Sequence, residues 1–169
     1  DEPRILIRGN PGRPGEQVPR RFLAAVSFEE RKPFSQGSGR LELARAIASP
    51  TNPLTARVIV NRVWQHHFGE GLVRSPGDFG VRGQAPTHPE LLDHLATRFI
   101  QNGWSLKWLH RVLMNSATYA QSGDDRPDCR SVDPENRLWW HKPRQRLTFE
   151  AQRDSWLAAA GRLDTSLGG

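Results

Sequence analysis

The stretch that decides the fold runs NPLTARVIVNRVWQHHFGEGLV (residues 52–73) and continues SPGDFGVRGQAPTHPELLDHLATRFIQNGWSLKWLHRVLMNSATY (residues 75–119). Asn52 suits an N-cap and Pro53 a first helical position, so the pattern predicts a helix from Pro53 to Phe68, stopped by Gly69. At 100° per residue, Ala56, Ile59, Val60, Val63 and Trp64 share an apolar face, with His67 amid it. Arg57, Asn61 and Gln65 form a polar row beside that face. Thr87 and Glu90 have capping-box spacing, with Pro89 in the first turn. Leu91, Leu92, Leu95, Ala96 and Phe99 then form a stripe that ends at Gly103. Ser105 opens another helix, with Leu106, Trp108, Leu109, Val112, Leu113 and Ala117 on one face. Only Trp104 separates it from Gly103, a link so short that it favours an antiparallel or sharply angled pair.

Working outward, Leu41, Ala44, Ile47 and Ala48 recur at helical spacing before Pro50, which predicts a short helix. The first thirty-five residues hold an apolar run at Ile5–Ile7, a Gly- and Pro-rich turn region and an apolar patch from Phe22 to Phe28, and are expected to be extended and largely irregular. Residues 121–133 read as an exposed loop before the DPENRLWW turn (residues 133–140). A last helix is expected from Thr148 to Ala160, with Phe149, Trp156, Leu157 and Ala160 on one face and Glu150 within ion-pair reach of Arg153. The reading is a mainly α-helical single domain of about five helices, with 1–35 an irregular N-terminal segment and 36–169 the helical domain.

Several segments in order carry a family resemblance: RGNPGRPGEQVPRRFL (residues 8–23), SGRLELARAIASPTNPLTARV (residues 38–58), the long central stretch, DPENRLWW, and RLTFEAQRDSWLAAAGRLD (residues 146–164). Together they resemble a planctomycete-specific C-terminal domain of unknown function. That domain is found in large exported proteins that carry planctomycete-type cytochrome c domains upstream. The resemblance implies a fragment of a larger multidomain protein, in keeping with a start at Asp1 and a stop at Gly168-Gly169. It also implies a periplasmic or cell-surface location and upstream domains of the same polypeptide as partners, with haem in one of those domains.

With 169 residues there is room for one domain. A hydrophobic fraction of 36% and a mean hydropathy of -0.65 suit a soluble module, and no apolar run approaches the roughly 18 residues of a membrane span. The net charge is +6, and with only Lys32, Lys107 and Lys142 as lysines, 21 of the 24 basic residues are arginine. They are scattered rather than gathered in a stripe, which argues against nucleic acid as a partner. Cys129, the single cysteine, excludes an internal disulfide, and without C-x-x-C-H there is no covalent c-type haem. No cofactor is expected within these residues.

Candidate chemistry is sparse. Six histidines include the adjacent pair His66 and His67, but neighbouring helical positions diverge by 100° and H-E-x-x-H is missing, so no metal site is expected. His67 reads as a hydrogen-bonded core histidine, and His94 and His110 as helix surface. Asp78-Phe79-Gly80 spells a kinase magnesium motif without the glycine-rich loop, lysine or H-R-D that kinase chemistry requires. It reads as a loop in which Asp78 accepts backbone hydrogen bonds and Phe79 plugs the core. Ser75, Ser116 and Ser122 lack a nucleophile elbow, and Glu90 is assigned to capping.

What remains is the row Arg57, Asn61 and Gln65, flanked by Arg62 and His66 and followed by the loop 69–84 with Asp78 and His88. Those side chains either tie the loop down or, with Trp64 and Trp104, line a groove for an acidic or sugar-like ligand. The functional expectation is a non-catalytic binding or scaffolding module that docks polysaccharide or a partner domain. The alternative is a hydrolase-type domain acting on complex carbohydrate through His66, Asp78 and His88.

Overall fold

The computed structural model describes residues 3–27 and 30–166. Phe28, the end of the expected N-terminal apolar patch, and both chain ends, Asp1 and Gly168-Gly169, lie outside the described residues. The fold is mainly α-helical, as expected, and forms two compact units, residues 1–116 and 117–169.

The first unit opens with a hairpin of two short antiparallel strands, β1 (Arg4–Leu6) and β2 (Pro14–Gln17), with Arg4 opposite Gln17. Among the described residues this is the one piece of regular pairing in a segment expected to be irregular. The chain then reaches α1 (Arg40–Ile47) through Gly39, whose φ of 74° lies in the left-handed region. A Cβ at Gly39 would approach Phe34 to 2.9 Å, so glycine answers both conformation and space. Glu42, in the first turn, accepts the backbone N–H groups of Ser35 and Gln36 at 3.0 and 2.9 Å and so holds the incoming chain against the helix.

The core forms where α2 (Thr55–Phe68), α3 (Pro89–Gln101) and α4 (Leu106–Met114) pack against one another. Val60, Phe68, Leu72, Phe99, Leu109 and Leu113 are fully buried there. Each such side chain contributes about 1.5–3 kcal/mol relative to exposure. The stripe on α3 is borne out, with Leu92, Leu95, Ala96 and Phe99 buried. On α4 the expected face is narrower: Leu109 and Leu113 are buried, Leu106 and Val112 are exposed, and Ala117 lies beyond the helix end.

Capping differs from expectation at two helix starts. Asn52 does not cap α2, which begins at Thr55. Its Oδ1 accepts the Leu54 N–H, while its Nδ2 donates to the Ile47 and Ala46 carbonyls at the end of α1. The amide is bonded on both sides, so it joins two helices rather than starting one. The capping box at α3 also fails to form: Thr87 Oγ1 and N–H both donate to the Leu72 carbonyl, and His88 occupies the N-cap with no side-chain capping bond. Glu90 therefore has no capping role. By contrast, Ser105 Oγ accepts the Trp108 N–H and caps α4 as expected.

The turn between α3 and α4 is a Schellman motif. Gly103 adopts φ 66°, Trp104 N–H donates to the Phe99 carbonyl and Gly103 N–H to that of Ile100. The Trp104 ring meets Phe99 edge-on at 5.4 Å, the apolar contact that accompanies this cap.

In the second unit, the segment expected to be all loop contains α5 (Pro127–Val132), started by Pro127 at the first helical position. Thr148 caps α6 (Phe149–Ala159) as expected, accepting the Ala151 N–H. Its supposed apolar face is not buried: Phe149 is exposed and Trp156 is 64% exposed. Arg153 pairs with Asp154 rather than Glu150. No helix among the described residues is long and apolar enough to cross a membrane.

Candidate functional site

The polar row on α2 is split by its surroundings. Asn61 is 0% exposed. Its Nδ2 donates to the Val73 carbonyl at 2.9 Å and its Oδ1 accepts the Val73 N–H at 2.8 Å. The side chain thus imitates a strand partner for the buried stretch Leu72–Val73, with both amide atoms committed to backbone. Gly71 makes room for this clamp, since a Cβ there would lie 2.6 Å from the Val73 oxygen and 2.7 Å from Asn61 Nδ2.

Arg57 turns the other way, with Nε donating to Asp93 Oδ1 on α3 at 2.6 Å and Nη1 donating to the Pro53 carbonyl. The hydrogen bond from Arg57 holds the Asp93 carboxyl below its ordinary value. The pair lines a cleft of about 280 Å³ with Asn52, Pro53, Ala96 and Thr97. Gln65 is half-buried, and Arg62 and His66 are exposed on the same helix.

Asp78 stays within its loop. Its Oδ1 accepts the Gly80 N–H, and Ser75 Oγ donates to the Asp78 carbonyl while accepting the Gln84 N–H. It therefore accepts a backbone hydrogen bond, as expected, but the hydrogen bonds of Arg57 and Asn61 go to Asp93, Pro53 and Val73 instead. Phe79 is half-buried. His88 Nδ1 lies 3.0 Å from Thr87 Oγ1. His66, Asp78 and His88 are each occupied locally or turned to solvent, and neither the Arg57 cleft nor the hollow beside α1 is lined by any of them. The groove expected from Trp64 and Trp104 does not form. Trp64 is buried and stacked on Phe68 at 4.2 Å, and Trp104 packs on Phe99.

The second unit places an aromatic side chain where sequence reasoning assigned none. Half-buried Trp140 lines two hollows, one of about 430 Å³ with Gln121, Ser122, Asp124 and Arg126, the other of about 400 Å³ with Asp125, Arg130, His141 and Arg144. Its ring is fixed. Trp140 Nε1 donates to the Asp133 carbonyl at 2.8 Å, the Arg126 guanidinium lies 5.6 Å from the ring centroid and donates to the Trp140 carbonyl, and His141 meets the ring edge-on at 4.2 Å.

The turn beneath is locked by two buried polar residues. Asp133 accepts the N–H groups of Arg137 and Leu138, and Asn136, at φ 53°, exchanges bonds with the His141 N–H and carbonyl. Around the hollows Arg130 pairs with Asp125 and Arg144 with Asp124. Lys142 sits 3.5 Å over the Tyr119 ring, and burial pulls its pKa down. The tandem tryptophans in DPENRLWW were the sequence signal for this site, but a turn of irregular backbone gives no period from which to tell which ring faces out.

Two observations define the class: a mainly α-helical protein in which Asn61 of the polar row anchors the loop while Arg57 pairs with Asp93 on α3, and a second unit that carries an aromatic and charged hollow. The chain belongs to the family described as PSD1, protein of unknown function (DUF1553), whose model matches residues 39–169. No curated protein and no solved structure matches it.

Proposed function

We propose that this chain is a non-catalytic binding or scaffolding module of an exported multidomain planctomycete protein, set at the periplasmic or cell-surface side, and that it docks polysaccharide at Trp140. The observation that carries the reading is the fixed Trp140 ring between two hollows, each edged by arginine and aspartate. A pyranose presents a C–H face that stacks on an indole, and its hydroxyls need mixed donors and acceptors, which Arg126, Arg144, Asp124 and Asp125 supply together. Because the ring is already held by Asp133, little ordering entropy is lost on binding. The upstream domains of the same polypeptide, including a haem-bearing one, are the other partners in this reading, and the α2–loop clamp supplies rigidity rather than recognition.

The test is binding of the purified protein to an array of plant, algal and bacterial polysaccharides beside Trp140→Ala, with circular dichroism confirming that the variant is folded. Selective retention of one glycan class, reduced about tenfold or more in the variant, supports the reading. Equal binding by both proteins, or no binding by the wild type, refutes it.

A further inference from the structure

We propose that His67 and His110 form a two-histidine site for a divalent transition metal, Cu²⁺ before Ni²⁺ or Zn²⁺. His67 lies half-buried in the last turn of α2, and His110 is exposed on α4, which packs against α2. His67 Nε2 and His110 Nδ1 stand 2.7 Å apart, with ring centroids at 5.0 Å and planes at 71°.

A contact between two imidazole nitrogens needs one N–H and one lone pair, so at least one ring is a neutral acceptor. A metal ion can take the place of the shared proton. Two bonds of about 2.0 Å meeting at a right angle span about 2.8 Å, the cis edge of a square-planar or tetragonal site, whereas a tetrahedral angle opens the same edge to about 3.3 Å. The observed gap is that of the hydrogen bond the two rings share, and it lies closer to the first span than to the second. The divalent affinity order places Cu²⁺ first.

Convergence of the lone pairs asks each ring to turn about its Cβ–Cγ bond, a broad and soft torsion, and the exposed His110 has space to do so. Among the described residues no third His, Cys, Asp or Glu joins the pair, so water or an outside ligand would fill the other coordination positions. The site is open and reversible rather than structural, and it is independent of the Trp140 hollow.

The experiment is titration of the purified, untagged protein with Cu²⁺ at pH 7.5, read by calorimetry and by the nitrogen hyperfine pattern of the bound ion in electron paramagnetic resonance. Expected are one ion per chain with two nitrogen ligands, an affinity lowered about tenfold or more in His110→Gln, and no change in His66→Gln. His110 is exposed, so its substitution leaves folding intact, which circular dichroism checks. Absence of stoichiometric binding, or the same spectrum and affinity in His110→Gln, overturns the proposal. Loss of binding in His66→Gln does so too, because the wrong histidine would then be the ligand.

Discussion

Replacing Asn61 with alanine is expected to destabilise the first unit by about 2–6 kcal/mol. The substitution removes both hydrogen bonds to Val73, a residue only 2% exposed, and leaves its N–H and carbonyl buried without their partner. Each stranded group costs about 1–3 kcal/mol, and the lower end applies where one water enters the vacated space. With a urea slope of about 2 kcal/mol/M, the midpoint falls by about 1–3 M. Urea unfolding followed by tryptophan fluorescence gives the global value, and hydrogen exchange at the Val73 amide gives the local one. A midpoint drop under about 0.5 M with Val73 protection unchanged would refute the clamp, since about 1 kcal/mol is what an ordinary substitution costs. Asn61→Asp sharpens the test. At pH 7 its carboxylate can accept the Val73 N–H but faces the Val73 carbonyl without a proton, so burial and that oxygen raise its pKa. An acid with a raised folded pKa destabilises most above that pKa, so this variant is expected to gain stability relative to wild type as pH falls from 7 towards 5.

Gly71→Ala is expected to cost about 1–3 kcal/mol, because its Cβ would meet the Val73 oxygen and the Asn61 amide below 3 Å; it should not add fully to Asn61→Ala in a double-mutant cycle by urea unfolding. For Asp93, the lowered folded pKa means that its contribution is present above the unfolded carboxyl value near pH 3.9 and is lost as pH falls through the folded value. The Asp93 side chain is 55% exposed, so that contribution stays below about 1 kcal/mol, and Asp93→Asn should flatten the stability profile below about pH 4 by no more than that.

Much of the fold was legible because its signals are local. The α3 stripe, the Ser105 and Thr148 caps and the glycine stops at Gly69 and Gly103 each follow from a few neighbouring residues. The failures came where a local signal had a distant competitor. Thr87 was drawn from its capping box to the Leu72 carbonyl, and Asn52 was taken by the end of α1. On α6 the apolar spacing is real, but spacing cannot say that Phe149 and Trp156 are left exposed.

The sequence by itself determined the helical class, the family and the presence of a polar row on α2, since periodicity, turn residues and ordered segments are properties of the chain in one dimension. Only the tertiary structure decided what that row does. Asn61 and Val73 lie twelve residues apart and meet because Gly71 lets the backbone approach, while Arg57 finds Asp93 thirty-six residues away. The same holds for His67 and His110, forty-three residues apart on two helices, and for Trp140, whose orientation depends on the buried Asp133 beneath it. A side chain's role follows from the partner it reaches, and that partner is chosen by packing in three dimensions.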